Sequence, residues 1–193
     1  MTSPTVKRVL PVFGLLASIW VLSIIGFVWR SLLSYFALVP REFSHLPGIL
    51  GMPFVHKDLS HLLANSLPLA VFSGLVLVQG SLYFVRALLG IVLLGGAALW
   101  LIGRPGAHIG ASGLVFGLFG LLLARAYYNR SLRSLLIAAA VMLGYGGLVW
   151  GILPTQSAVS WEAHLTGAGA GVIVAKYLAK SSTASATNRD ARQ

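Results

Sequence analysis

One serine, two histidines and an asparagine in this chain have the types and placement needed for acyl transfer. Ser112 lies in Gly110-Ala111-Ser112-Gly113. A serine flanked by small residues at a loop-to-helix junction can be held in a sharp turn. The free amides of the helix start can then help stabilise an oxyanion. His164, in His164-Leu165-Thr166-Gly167, offers an imidazole that can take the serine proton. His61 and Asn65 stand four residues apart, so they project from one helix face.

Each residue alone has a plainer reading. A serine at that junction can be a simple N-cap, and His164 can be a packed or interfacial histidine. The Gly-Ala-Ser-Gly string also arises easily by chance in a chain with 22 glycines. Ionisable and strongly polar residues inside apolar segments are nonetheless costly, and they point to function by default. No carboxylate offers itself as a third member. Glu162 is two residues from His164, on a different helix face and expected at the interface. The expectation is a Ser–His dyad with no metal and no cofactor. His56, His61 and His164 could supply three zinc ligands in principle, but His56 and His61 are five apart and do not share a face. His56 and His108 are expected at the mouth of the site or at the interface, in contact with the loops, and His45 in a surface loop.

The elements that must position these residues are membrane helices. The chain has 193 residues, 57% hydrophobic and 9% charged, with a mean hydropathy of +0.86. Soluble domains carry roughly 25% charged residues, so lipid is the natural solvent for most of this chain. Apolar runs fall at about 9–28, 59–77, 84–102, 112–126, 134–153 and 163–179. The expected fold is therefore an all-α, polytopic bundle of six transmembrane helices, with no room for a separate soluble domain. Residues 1–8 form a cytoplasmic start, 9–180 the six-span domain and 181–193 a Ser/Thr/Ala-rich disordered tail. The first run follows Lys7 and Arg8 and lacks a small-x-small cleavage site, which favours a retained signal-anchor helix. The stretch 31–57, interrupted by Pro40, Pro47, Gly48, Gly51 and Pro53, is expected at or partly in the membrane surface.

The formal charge is +10, but the basic residues are scattered between apolar runs. That pattern signals topology rather than nucleic-acid binding. Lys7, Arg8, Arg86, Arg125, Arg130, Arg133, Lys176, Lys180, Arg189 and Arg192 fall on one side, and Arg30, Arg41, Lys57 and Arg104 on the other. The bias puts both termini in the cytoplasm. Spans two, four and six then enter from the non-cytoplasmic face, which sets His61, Asn65, Ser112 and His164 at one shallow, outward-facing level. Gly113/Gly117 and Gly167/Gly171 carry the four-residue spacing that lets helix backbones approach, so spans four and six are expected to pack together. Cysteine is absent, which excludes disulfides and Cys metal sites.

With these motifs in order, the chain resembles the rhomboid family of intramembrane serine proteases. The likeness rests on His61-Leu62-Leu63-Ala64-Asn65, Gly110-Ala111-Ser112-Gly113, and His164-Leu165-Thr166-Gly167 with Gly171, and it spans roughly residues 9–178. The resemblance implies Ser112 as nucleophile and His164 as general base. It implies an oxyanion site from His61, Asn65 and the Ser112 amide. Gly110 and Gly113 would shape the serine turn, and Gly167 and Gly171 would allow close packing of spans four and six. In this family the loop between the first two spans often holds an internal Trp-Arg pair. Here Trp29-Arg30 ends the first span instead, and 31–57 is short for that loop.

The implied activity is hydrolysis of peptide bonds in or near transmembrane segments of other membrane proteins, in the cell membrane. Such proteins and lipids are the expected partners, nucleic acid is not, and the oligomeric state is left open. Two other classes compete. An idle rhomboid-like client-binding protein would most simply lack Ser112 or His164. A small transporter or channel would carry polar residues through to the cytoplasmic half, where spans two, four and six are almost wholly apolar.

Overall fold

The computed structural model describes the backbone of residues 4–155 and 159–190, and the side chains of 9–155 and 159–179. Among the described residues the eight α-helices are α1 (Pro4–Val28), α2 (Arg30–Phe36), α3 (Gly48–Gly51), α4 (Leu59–Leu77), α5 (Ser81–Ile102), α6 (Ser112–Asn129), α7 (Leu132–Tyr145) and α8 (Trp161–Asp190). Short 3-10 turns occupy Phe43–His45, Met52–Phe54 and Gly146–Ile152. No strand occurs among the described residues; there is one isolated bridge, between Leu38 and His108. The protein is an all-α, multi-span bundle. Among the described residues, four segments are long and apolar enough to cross a membrane by length and composition: Val9–Val28, Leu59–Leu77, Ser81–Ile102 and Leu132–Ile152.

α6 is the axis of the bundle. Every residue from Ala111 to Leu122 is buried except Ser112. A helix apolar all round is a core helix, and α6 is wrapped by α4, α5, α7 and α8. Close approach of α6 to α8 requires glycine. A Cβ added at Gly171 would stand 1.9 Å from the Gly117 carbonyl oxygen, and one at Gly167 would stand 2.1 Å from that of Gly113. The two helices therefore touch backbone to backbone, as the glycine spacing predicts. Side chains of Phe72, Phe119 and Tyr145 fill the opposite flank of α6, with Phe72 central to both ring contacts.

Local chemistry fixes the helix ends. The Asp58 carboxylate caps α4 by accepting from the His61 amide at 2.8 Å. Ser131 caps α7 by accepting from the Ser134 amide at 3.2 Å. α7 loses regular winding at Gly146, within the cluster Gly144, Gly146 and Gly147. At the far end of the chain α8 continues through residues 181–190, a stretch whose composition suggests disorder, while 191–193 fall outside the described residues.

The segment between α1 and α4 is not a loose surface loop. Leu38, Met52 and Val55 are buried. Arg41, at a left-handed φ of 64°, donates from its guanidinium to the Leu101 and Gly103 carbonyls at 3.1 and 2.7 Å. Arg30 donates to the Lys57 carbonyl at 3.1 Å, closing the two ends of the segment on each other. This segment is the support on which the serine turn rests.

Candidate active site

The turn ahead of Ser112 is held by three sets of hydrogen bonds from the α1–α4 segment. His108 exchanges backbone bonds with Leu38 at 2.8 and 3.0 Å, and the Gly110 amide donates to the Met52 carbonyl at 2.8 Å. The Ala111 amide donates to His56 Nε2 at 3.2 Å. Gly110 sits at a φ of 112°, a conformation that L side chains rarely adopt. A Cβ there would also strike the His61 ring, 2.5 Å from Cε1. Glycine at 110 thus lets the turn close and lets His61 lie against it. Ser112 opens α6 as the one half-buried position of an otherwise buried run.

His164 stands across from this turn. Its ring is stacked on Phe116, with centroids 4.0 Å and planes 4° apart. Phe116 is four residues after Ser112, hence on the same face of α6. His164 Nδ1 lies 2.8 Å from the Gly151 carbonyl oxygen. A carbonyl only accepts, so Nδ1 carries the proton and Nε2 keeps its lone pair. Among the described residues the Ser112 hydroxyl makes no hydrogen bond of its own, to His164 or otherwise. Catalytic bonds are often long in free enzymes and tighten on binding substrate. Asn65 is buried and donates to the His61 carbonyl at 3.1 Å, which leaves its second N–H available. His61 Nδ1 is buried without a partner.

A second serine–histidine pair lies beside the first. Ser160 Oγ and His108 Nδ1 are 2.5 Å apart, and His108 Nε2 is 3.1 Å from the Arg104 carbonyl oxygen. By the same donor logic Nε2 holds the proton, and the Ser160 hydroxyl donates to Nδ1. Arg104 pairs through Nε with Glu162 at 3.1 Å, and its guanidinium also donates to the Val159 carbonyl.

Three residues are more buried than their sequence context suggests. His56 is not a mouth residue but is fully buried, and so is the Ser23 hydroxyl beside it. His108 is buried too, tied between Ser160 and the Leu38 backbone. Glu162 is 3% exposed and paired with Arg104. Burial, and secondarily the neighbouring His61, pushes the His56 pKa down to about 4 against a smaller opposing pull from Asp58. His45 does lie in the α2–α3 loop, with Nδ1 on the Ala37 carbonyl at 3.1 Å.

Residues 43–181 match the Rhomboid domain family. The chain belongs to the rhomboid family. It is also 35% identical over 192 residues to the uncharacterized protein Rv1337 of Mycobacterium tuberculosis, covering 92% of this chain and 80% of that protein. The same figures hold for the uncharacterized protein Mb1372 of Mycobacterium bovis. The uncharacterized protein ML1171 of Mycobacterium leprae is 36% identical over 140 residues, covering 68% of this chain and 55% of that protein. Membership of this family carries the assignment of a serine-type intramembrane protease.

Some of this rhomboid site is invisible to motif reading. The Gly151 carbonyl that orients His164 belongs to backbone, and no side chain announces it. Phe116 did leave a signal, an aromatic one helical turn after the serine. His56 left one as well, a polar residue shortly before the α4 cap, but its spacing from His61 suggests only that the two do not share a helix face.

Proposed function

We propose that this rhomboid protein cleaves membrane-protein substrates with Ser112 as nucleophile and His164 as general base. The observation that carries the reading is the state of His164. Its Nδ1–H is committed to the Gly151 carbonyl, so the Nε2 lone pair is free on a ring stacked one turn below Ser112.

Ser112 Oγ attacks the scissile carbonyl carbon as Nε2 takes its proton. The Ser112 amide, the spare Asn65 N–H and the His61 ring donate to the resulting oxyanion. Collapse breaks the C–N bond, and the amine leaves with the proton from His164. Water then attacks the acyl ester, giving a proton to Nε2, and collapse returns it to Ser112. Gly110 and Gly113 shape the turn, while Gly167 and Gly171 let α8 carry His164 close to it.

The six-span topology, with both termini cytoplasmic and the site opening outward, is part of the same proposal. α6 has 18 residues, about 27 Å at 1.5 Å per residue, and the apolar first half of α8 is of similar length. α6 is shielded in the bundle, whereas α8 alternates buried residues with exposed ones such as Leu165 and Ile173. The layout is a short cytoplasmic start at 1–8, the protease domain at 9–180 and a tail at 181–193. Substrates are single- or multi-span membrane proteins, whose helices must unwind locally because a helical peptide bond is hidden by its own hydrogen bonds.

A second reading takes Ser160 and His108 as the dyad, favoured by their 2.5 Å hydrogen bond. The glycine turn and the donors Asn65 and His61 gather at Ser112, however, and the His108 imidazole hangs on the Arg104 carbonyl in a polar cluster that joins the α5–α6 loop to α8. This arrangement serves as a latch. Purified protein in detergent with a single-span reporter distinguishes the two. Cleavage abolished in Ser112→Ala and His164→Ala but kept in Ser160→Ala supports the first reading; the converse pattern overturns it.

A further inference from the structure

We propose that His56, its tautomer set by the Ala111 amide and its ring held by Ser23, is a positioning residue that sets the serine turn and the His61 ring from the segment ahead of α4. The inference rests on the reading of Ser112 as nucleophile and adds a residue outside the dyad and the oxyanion donors.

The hydrogen bonds run in one direction. The Ala111 amide donates to His56 Nε2 at 3.2 Å, so Nε2 is unprotonated. His56 Nδ1 therefore carries the proton and donates it to Ser23 Oγ at 2.9 Å. The Ser23 hydroxyl in turn donates to the Phe54 carbonyl at 3.2 Å. His56 and Ser23 are both 0% exposed, and each has its polar atoms satisfied. No alternative tautomer fits: a proton on Nε2 would face the Ala111 N–H. Ala111 immediately precedes Ser112, so this bond fixes the peptide from which the nucleophile projects.

The same ring touches the other half of the site. His56 and His61 meet edge to face with centroids 4.9 Å apart. His61 also lies against Gly110, so the pair of rings brackets the turn at residues 110–111. One buried imidazole thereby links α1, the serine turn and an oxyanion donor. A merely structural histidine would lower stability when lost. A positioning histidine lowers turnover on protein that is still folded, since displacement of reacting groups by about 1 Å costs on the order of a hundredfold.

The test compares wild type, His56→Ala, His56→Gln, Ser23→Ala and Ser112→Ala as full chains in detergent. The readouts are kcat and KM on a single-span reporter, the rate of fluorophosphonate labelling, and cooperativity of unfolding. His56→Ala is expected to lose about a hundredfold in kcat with KM within about threefold, and to label correspondingly slowly. His56→Gln, whose amide oxygen can accept from Ala111, is expected to recover at least tenfold of that loss. Ser23→Ala is expected to lower kcat about tenfold. A folded His56→Ala with kcat within about threefold of wild type overturns the inference, as does a rise in KM at unchanged kcat. If His56→Ala does not fold, Ser23→Ala decides, and wild-type kcat in that variant overturns it. Cleavage surviving in Ser112→Ala would instead remove the reading beneath it.

Discussion

The imidazole of His164 lies flat on the phenyl ring of Phe116, 4.0 Å between centroids and 4° between planes. This contact joins α8 to α6 one helical turn from Ser112, and with the Gly151 carbonyl it leaves the imidazole little freedom. Orientation of the proposed base thus depends on an aromatic face and a backbone oxygen, with no carboxylate in that position.

Removing the aromatic face should therefore cost turnover. Phe116→Ala is expected to lower kcat by roughly tenfold to a hundredfold, whereas Phe116→Tyr keeps the stacking surface and most of the activity. Steady-state kinetics on a single-span reporter check this; equal activity of wild type and Phe116→Ala would show that the stack does not orient the base.

The α6–α8 seam has no space for side chains. Gly171→Val is expected to reduce stability by at least 1–3 kcal/mol, the usual cost of overpacking, or to prevent folding. Gly169, whose added Cβ meets nothing within 4 Å, is the matched control, and Gly169→Ala is expected to be nearly silent. Unfolding midpoints in detergent compare the two.

Much of the architecture was legible because it follows from lipid as a solvent. The apolar runs gave the helices at 59–77 and 112–126 almost to the residue, and the Gly113/Gly117 and Gly167/Gly171 spacing anticipated the seam. The α1–α4 segment was legible only as an interruption. Its work is done by backbone groups of Leu38 and Met52 and by the buried ring of His56, which pair with residues more than fifty positions away. Periodicity carries no information about such contacts. The burial of Glu162 was illegible for a related reason: its partner Arg104 lies in the α5–α6 loop, and only the fold brings the opposite charge within 3.1 Å.

Stability should fall on acidification through His56. Its pKa is about 4 in the folded chain, against about 6.5 when unfolded. Between those values the unfolded chain binds more protons, so stability is full above about pH 6.5, declines as pH falls toward 4, and changes no further below it. The charged or titratable groups acting on this ring are His61 and Asp58. The full effect is on the order of 3 kcal/mol. Unfolding midpoints between pH 7 and 4 should show a shallower decline in His56→Gln than in wild type.

Arg104 and Glu162 should show strong coupling. Arg104→Ala leaves a buried carboxylate without its partner, and is expected to destabilise more than the double variant Arg104→Ala/Glu162→Gln, which removes the charge as well. Arg104 is partly exposed, so the single-variant cost should fall below the 3–5 kcal/mol typical of deeply buried pairs. A double-mutant cycle on unfolding free energy checks the sign.

The most direct measurement is the position of a fluorophosphonate adduct, mapped by mass spectrometry of peptides from the labelled, folded protein. The account requires the adduct on Ser112, with labelling lost in His164→Ala and retained in Ser160→Ala. An adduct on Ser160, or labelling of Ser112 that persists at the wild-type rate in His164→Ala, would contradict it.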